Sequence, residues 1–345
     1  QGEGQTFSIN ARTNGVYYTS ASMSFLEPWL GGKRPNSLSA NIFFASQTGY
    51  SDRYYQAYQN LYNTYYNYYA YSGNSNYLQQ LQESEADPDK YLRTFGVSIG
   101  YGKRLSWPDD YFSFYGELSY QMYMMKDWPY MILTDGMSHN LALNLQISRS
   151  SIDNPIYTRR GSQFTLGLKI TPPYSLIKGT TDAQYAQMTN SEKYNLLEYH
   201  KWRFSGKVFT PLSADSKLVL MARAEFGYLG HYNKNAKSPF ESFYMGGDGM
   251  SSYSSYSTEY VAMRGYQSGS LTPYDPATGR NMGYVYNKFT MELRYPIALE
   301  QNATIWALAF VEAGNCFADI KDYNPFNLKR SAGVGVRLFL PMFGL

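Results

Sequence analysis

Hydrophobic and polar residues alternate along much of this chain with a period of two. In the clearest run, 139–149, every second residue is a leucine or isoleucine and the residues between are polar or small: the apolar set is Leu141, Leu143, Leu145 and Ile147. Because successive side chains of a β-strand point to opposite faces, this run predicts a strand with one apolar face. The runs 163–170 and 288–295 repeat the pattern. Weaker copies bring the predicted total to about twelve strands; they lie near 5–13, 16–26, 37–48, 93–104, 111–124, 201–210, 217–229, 303–314 and 331–340.

The connections between the predicted strands alternate between short and long. The short ones are rich in Pro, Gly or Asp and lie at 28–37, 107–110, 153–161, 211–216 and 298–302; the long ones lie at 49–92, 171–200, 230–282 and 315–330. A soluble β-sandwich also alternates apolar and polar residues, but an outer-membrane barrel has short periplasmic turns on one rim and long external loops on the other. The pattern therefore favours an all-β fold, a transmembrane antiparallel β-barrel, as a single domain over residues 1–345.

Composition agrees with a barrel and narrows the classes of function. The chain has 37 Tyr, 19 Phe and 29 Gly, and only 17% of its residues are charged. It has no apolar run of about 18 residues, so membrane-spanning helices are excluded. The net charge of +3 is small and scattered, which predicts no nucleic-acid partner. With one cysteine, Cys316, no intramolecular disulfide framework is possible, and nothing at Gln1 resembles a signal peptide, so export is inferred from the strands.

The segment 243–266 is rich in Gly, Ser and Tyr and ends in Met263, Arg264, Gly265 and Tyr266. It has too little apolar surface to fold alone, so the rest of the protein must enclose it. Arg264 is the only cation between Lys237 and Arg280. A guanidinium held inside a protein has to be paired and hydrogen-bonded, so Arg264 is expected to have an acidic partner.

Alternation supplies two candidate acids. Glu292 lies on the face opposite Met291 and Leu293, and Glu312 lies opposite Val311, so both are expected in the lumen on neighbouring strands. Two such carboxylates repel each other, and one guanidinium fork can engage both. The hypothesis is that loop 230–282 folds back into the barrel and is held there by Arg264. From the pattern alone, the alternative that all three are ordinary solvated lumen charges stays open.

Two external segments carry helix-like patterns. In 49–92, tyrosines at 54, 55, 58, 62, 65, 66 and 69 form an i, i+3, i+4 stripe, which fits either a partner-binding lid or a loop that packs on itself and on the barrel mouth. In 182–200, Asn190 or Ser191 could cap a short helix that begins at Glu192.

No catalytic or metal-binding constellation is predicted. His139, His200 and His231 lie at strand ends or in loops with no G-x-S-x-G nearby, and each is interpreted as a polar surface residue. Gly100-Tyr101-Gly102 lacks the following helix of a phosphate loop. Cys316 is interpreted as a small packed residue rather than a reactive thiol. Metal ligands at diagnostic spacing are absent, so neither a metal nor a cofactor is expected.

Four segments, in family order, resemble the BamA/TamA superfamily of outer-membrane barrels. Gly246-Gly247 leading to Met263-Arg264-Gly265-Tyr266 resembles the family's loop-six signature, and Phe310 to Gly314 resembles its F-x-D-x-G strand, with Glu312 for the usual Asp. Asp153-Asn154-Pro155 with Arg160-Gly161 resembles its D-N-P…R-G turn, and 331–335 resembles its S-A-G-x-G strand. The insertion 248–260 separates the glycine pair from Arg264 more widely than is usual in the family.

The resemblance implies a sixteen-stranded barrel whose loop six is anchored by Arg264 on the two acids. By this match the first strand corresponds to the family's third, so the full protein is expected to be longer at both ends, with seam strands and periplasmic POTRA repeats. It also implies the bacterial outer membrane and a non-enzymatic function: inserting and folding β-barrel proteins without nucleotide hydrolysis, by β-augmentation at a weakly paired seam in a locally thinned bilayer.

The implied partners are unfolded barrel clients, accessory lipoproteins, and outer-membrane lipid or lipopolysaccharide. A two-partner secretion transporter of the same superfamily is the alternative, and an outer-membrane barrel enzyme is a more distant one, because it would need a nucleophile or acid-base set at the rim.

Overall fold

Twelve strands form one antiparallel sheet in the computed structural model, which describes residues 4–32, 36–50, 86–129, 131–249, 258–276, 279–300 and 302–341. In sheet order they are β1 (Thr6–Asn14), β2 (Tyr18–Glu27), β3 (Asn36–Tyr50), β4 (Ala86–Arg104), β5 (Phe112–Lys126), β6 (Gly136–Ser150), β7 (Gly161–Ile170), β8 (His200–Pro211), β9 (Val219–Gly230), β14 (Val285–Leu299), β15 (Thr304–Phe317) and β16 (Lys329–Phe339). All twelve predicted strands are confirmed, with ends that differ by a few residues.

The described part of the loop between β9 and β14 contains four short strands. They are β10 (Ser242–Met245), β11 (Thr258–Val261), β12 (Tyr274–Asp275) and β13 (Arg280–Asn281). β10 pairs with β11 in parallel, and β12 pairs with β13 antiparallel. Short 3-10 turns are found at Leu30–Gly32, Lys234–Ala236 and Ile320–Asp322.

The two faces of the sheet are inverted relative to a water-soluble protein. On β14 the outward side chains are apolar and exposed, with Met291 at 53% and Leu293 at 40% of their full accessibility. The inward Lys288, Glu292 and Arg294 are polar or charged and no more than 8% exposed. A soluble double sheet would bury its apolar faces, so this arrangement is that of a membrane barrel wall, with the apolar face toward lipid.

The rims differ as predicted for the connections singled out from the sequence, although the end with the long loops also has two short connections, 15–17 and 127–135. The connections 28–35, 105–111, 151–160, 212–218 and 300–303 lie at one end of the strands, which we call the short-turn rim. The connections 171–199, 231–284 and 318–328 lie at the other end, the loop rim. The tyrosine stripe predicted within 49–92 lies outside the described residues.

The prediction of a helix that begins near residue 192 is wrong beyond Lys193, where the helical segment ends. The structure has three short helices in this loop: α1 (Tyr174–Lys178), α2 (Asp182–Gln187) and α3 (Asn190–Lys193), and Thr189 caps α3. The following backbone pairs with β6 instead, because His139 N donates to Asn195 O and Leu197 N donates to His139 O. Tertiary pairing overrides local helix propensity here. No helix in the described part of the chain is long and apolar enough to span a membrane.

Inward side chains of β8, β9, β14 and β15 line up in rows across the sheet. One row is formed by Lys207, Arg223, Thr290 and Glu312. The next row, one step closer to the short-turn rim, is formed by Phe209, Met221, Glu292 and Phe310. These rows form the wall against which loop 231–284 packs.

Candidate functional site

Arg264 lies against both acids that alternation places in the lumen. Its Nη2 is 2.9 Å from Glu292 Oε1 and 2.8 Å from Glu312 Oε1. The backbone N–H of Arg264 also donates to Glu312 Oε2 at 2.8 Å. Both glutamate side chains are only 2% exposed, so these are charge-assisted hydrogen bonds largely removed from water.

The loop presents Arg264 from a tight turn closed on the glycine pair. Met263 N donates to Gly247 O at 2.8 Å, and Gly247 N donates to Tyr266 O at 2.9 Å. Gly265 has φ +84°, and a Cβ there would lie 3.1 Å from the Ser331 Cβ on β16. The absence of a side chain at Gly265 thus lets the turn approach the wall with a left-handed backbone.

Two further contacts fix this turn. Gly246 has φ +128°, and a Cβ there would lie 2.3 Å from Gln267 O, so the chain crosses itself at a point where only glycine fits. Tyr266 Oη donates to Arg330 O on β16 at 2.8 Å. The insertion 248–260 leaves this turn intact, since the glycine pair and Met263 meet directly.

Glu292 and Glu312 also form ion pairs with three other cations. Arg294 Nη2 lies 2.7 Å from Glu292 Oε2, and Arg337 Nη2 lies 2.9 Å from Glu292 Oε1. Lys288 Nζ lies 3.2 Å from Glu312 Oε1 and donates to Ala262 O of the loop at 2.6 Å. Sequence reasoning missed these three cations, although Lys288 and Arg294 share the inward face of β14 with Glu292.

Strand glycines make room for this set of charged side chains, which we call the Arg264 cluster: Arg264, Lys288, Glu292, Arg294, Glu312 and Arg337. Gly333 lies directly opposite Phe310 in the β15–β16 pair, and a Cβ there would lie 2.7 Å from the Phe310 ring. A Cβ at Gly314 would lie 2.7 Å from Asn287 O and 2.9 Å from Met245 Cε, where β10 crosses β15. Sequence analysis named Phe310 only as the first residue of the strand motif and predicted no contact with Arg264, although Phe310 shares the inward face of β15 with Glu312.

A second set of ion pairs holds the same loop against another part of the wall. Lys201 on β8, 3% exposed, lies 3.2 Å from Glu241 and 2.7 Å from Glu259, and both glutamates belong to the loop. Lys169 on β7 also pairs with Glu241. Burial would raise the pKa of Glu241, but the ammonium groups of Lys169 and Lys201 outweigh it and lower that pKa to about 2. The loop thus offers a cation to β14 and β15 and carboxylates to β7 and β8.

The turn 153–161 lies apart from the Arg264 turn, on the short-turn rim. Asp153 Oδ1 accepts from the backbone N–H groups of Arg159 at 3.0 Å and Arg160 at 3.3 Å. Arg160 Nη2 donates to Ser216 of the neighbouring turn at 3.1 Å. Gly161 has φ +107° and closes the turn against Ser151 O, where a Cβ would lie at 2.2 Å. These residues shape the turn and make no hydrogen bond or ion pair with Arg264 among the contacts described.

No cluster of three or more His, Cys, Asp or Glu side chains with the placement of a metal site is found within the described ranges. Cys316 is buried at the end of β15 and makes no disulfide. His139 accepts or donates one hydrogen bond with Tyr120 at 2.8 Å.

The inverted faces, the asymmetric rims and the enclosed loop define the class of protein as an outer-membrane-type β-barrel. The family model of the Omp85 superfamily domain matches residues 1–345, and this chain belongs to that superfamily.

The fold resembles that of a solved structure. BamA from Haemophilus ducreyi, lacking POTRA domains 1–3, is similar at 17% identity with a TM-score of 0.60, over 96% of this chain and 58% of that one. CdiB from Escherichia coli is similar at 10% identity with a TM-score of 0.47, over 94% of this chain and 47% of that one. This chain therefore spans less than two thirds of the BamA chain that it matches. No curated protein matches it.

Proposed function

We propose that this barrel belongs to an assembly factor that inserts and folds β-barrel proteins in the outer membrane. The observation that carries the proposal is the filling of the lumen by loop 231–284. Phe240, Phe243, Met245 and Met263 of that loop are less than 2% exposed, and they pack with Tyr199 and wall residues in one apolar cluster. A lumen packed in this way favours work at the barrel wall over passage of a polypeptide through the centre.

On this proposal the Arg264 cluster has a mechanical function and performs no bond chemistry. Ion pairs at two separate parts of the wall, Arg264 to β14 and β15 and Lys201 to the loop carboxylates, keep the barrel in a defined shape while a client strand pairs with a free sheet edge. Burial of the client's apolar surface in the bilayer supplies the free energy, so no nucleotide is needed.

We further propose that the chain is the barrel portion of a longer protein with additional seam strands and periplasmic POTRA repeats. The overlap with 58% of the BamA chain supports a larger whole. The proposed partners are unfolded barrel clients, accessory lipoproteins of an assembly machine, and the lipid or lipopolysaccharide of the outer membrane.

Depletion of the full-length protein in its own cells tests the function. We expect the abundance of many unrelated outer-membrane barrels to fall together, measured by quantitative proteomics of outer-membrane fractions, while outer-membrane lipoproteins change little. Loss of one secreted substrate with normal barrel abundance would favour the secretion transporter and refute the insertase. Reconstitution supplies a second arm: vesicles that contain the protein should fold urea-denatured barrels faster than empty vesicles.

A further inference from the structure

A cavity of about 360 Å³ lies in the lumen between the Arg264 turn and the turn 151–160. One side is formed by the loop residues Asp248, Ala262 and Arg264. The side toward the short-turn rim is formed by Ile152, Pro155, Ile156 and Thr158. Tyr157 of the same turn is 3% exposed and packs edge-on against Trp306 with ring centroids 5.7 Å apart. The turn thus partly closes the cavity toward the short-turn rim.

The cavity wall has an excess of positive charge. Three carboxylates line it, on Asp248, Glu292 and Glu312. Six cations line it: Lys207, Arg223, Arg264, Lys288, Arg294 and Arg337. The formal excess is three positive charges, and Glu225, which bonds to Arg223 from just outside the cavity, reduces it to two.

Two of the three carboxylates, Glu292 and Glu312, already pair with one part of this cation set. Glu292 alone receives Arg264, Arg294 and Arg337. Glu312 receives Arg264 and Lys288. These two carboxylates therefore serve the cations of the loop and of β14 and β16, and the side of the cavity on β8 and β9 has two cations with one nearby carboxylate, Glu225.

Lys207 and Arg223 are those cations. They lie directly opposite each other in the β8–β9 pair, where like charges destabilise a sheet. Within the described ranges, no carboxylate lies within 4.0 Å of Lys207 Nζ and the ammonium makes no hydrogen bond. Arg223 Nη2 bonds to Glu225, but its Nε is buried with no hydrogen-bond partner. An ammonium without a carboxylate partner and a neighbouring guanidinium thus line one partly closed cavity.

The other walls strengthen the attraction for an anion. Phe209, Met221 and Trp306 line the cavity with apolar surface, and electrostatic interactions grow as water is excluded. A guanidinium and a nearby ammonium suit the oxygens of carboxylate and phosphate groups. The space is about twelve times the roughly 30 Å³ that one water occupies in the liquid, which admits a small ion and several waters but no diacyl lipid.

We propose that the cavity binds a small free oxyanion, a carboxylate or a phosphate, between Lys207 and Arg223. The bound ion links β8 and β9 to the Arg264 cluster and relieves the repulsion between the two cations. This site goes beyond the proposed function, because it follows from the lumen charges whether the barrel inserts proteins or exports them.

Trp306 in the cavity wall provides the readout. The purified full-length protein in detergent micelles is titrated with sodium phosphate and, separately, with sodium acetate, while sodium chloride keeps the ionic strength constant. We expect a saturable change in tryptophan fluorescence that is lost in Trp306→Phe, and a rise in the thermal unfolding midpoint. An equal response to chloride alone, or no saturation with either oxyanion, would overturn the proposal.

Three variants locate the site. Lys207→Gln should weaken the apparent affinity at least tenfold, and Lys207→Arg should retain binding because a guanidinium also carries the charge and binds oxyanions. Lys103→Gln, an exposed lysine near the same rim on β4, is the charge-matched control and should bind as wild type. Wild-type affinity in Lys207→Gln would refute the assignment. Gel mobility with and without heating checks that each variant is folded. If Lys207→Gln does not fold, the responses of the wild-type protein to phosphate and to chloride still test the proposed oxyanion site.

Discussion

The guanidinium carbon of Arg264 lies 3.6 Å from the centroid of the Phe310 ring. Glu312, the partner of Arg264, is two residues from Phe310 on the same face of β15, so one strand supplies both the carboxylate and the aromatic surface that hold the cation. Cation–π contacts contribute about 0.5–1 kcal/mol where exposed and about 2 kcal/mol where desolvated, and the Arg264 side chain is 23% exposed, so the ring contributes about 1–2 kcal/mol to the anchor.

Replacing Phe310 by Leu should therefore weaken the anchor without removing a charge. We expect a loss of about 1–2 kcal/mol in unfolding free energy, because the leucine keeps apolar contact but has no ring face. Urea unfolding in micelles, followed by gel mobility, measures it. The control is Phe289→Leu on the outward face of β14, where the ring is 43% exposed toward lipid. Equal losses in the two variants would show that the cation–π contact contributes nothing.

Gly333 and Gly335 form a matched pair on β16. A Cβ at Gly333 would lie 2.7 Å from the Phe310 ring, while one at Gly335 would meet only Leu308 at 3.7 Å. Gly333→Ala should displace Phe310 and cost about 1–3 kcal/mol, as overpacking does, whereas Gly335→Ala should be near neutral. Thermal unfolding of the two variants compares them directly, and similar midpoints would mean that Phe310 moves freely.

Removal of Arg264 should loosen the loop more than it destabilises the wall. Arg264→Ala leaves Glu292 with Arg294 and Arg337, so we expect a loss of about 2–3 kcal/mol, near the value for hydrogen bonds to charged groups, rather than the larger cost of a stranded charge. Limited proteolysis within 231–284 and heat-dependent gel mobility should report the freed loop. Wild-type behaviour in both assays would refute the anchor.

Exchange of the charges at Arg264 and Glu312 tests whether the two side chains act as a pair. Arg264→Glu alone places a third carboxylate beside Glu292 and Glu312 and should be more severe than Arg264→Ala. Combining it with Glu312→Arg restores one opposite-charge contact, so we expect partial recovery of gel mobility. A double variant no better than the worse single variant would argue against direct coupling.

Period-two alternation was sufficient to predict the wall, because in a barrel each strand residue has only two environments, lipid or lumen. The same rule placed Glu292 and Glu312 inward, and the structure has both carboxylates at Arg264. Alternation could not reveal Lys201 with Glu241 and Glu259, since that contact depends on how the loop crosses the lumen. Nor could helix signals after Asn190 anticipate that Asn195 and Leu197 pair with β6. Long-range pairing decides both cases.

The second anchor of the loop can be tested on its own. Lys201 is 3% exposed and bonds to both loop glutamates, whereas Lys169 is 21% exposed and bonds only to Glu241. Lys201→Met leaves Glu241 with Lys169 and Glu259 with Arg203, so it should cost about 2–3 kcal/mol rather than the larger cost of a stranded charge, and Lys169→Met should cost distinctly less. The unfolding free energies of the two variants in denaturant are compared. A larger loss in Lys169→Met than in Lys201→Met would contradict the argument from burial.

The pH dependence of stability should carry the signature of Glu241, which lies in the loop outside the membrane-spanning strands. Its pKa of about 2 is below its ordinary value of 4.5, since the two neighbouring lysines outweigh the opposing effect of burial. A carboxyl group with a lowered pKa stabilises the fold fully above its unfolded pKa, and this contribution is lost as the pH falls from about 4.5 toward 2.

Between pH 6 and pH 2.5, the stability advantage of wild type over Glu241→Gln should therefore shrink by roughly 1–3 kcal/mol. Glu300→Gln, exposed on the short-turn rim, should show no such pH-dependent difference from wild type. Urea midpoints at several pH values measure the effect, and an advantage that stays constant down to pH 2.5 would mean that the Glu241 ion pairs do not stabilise the folded loop.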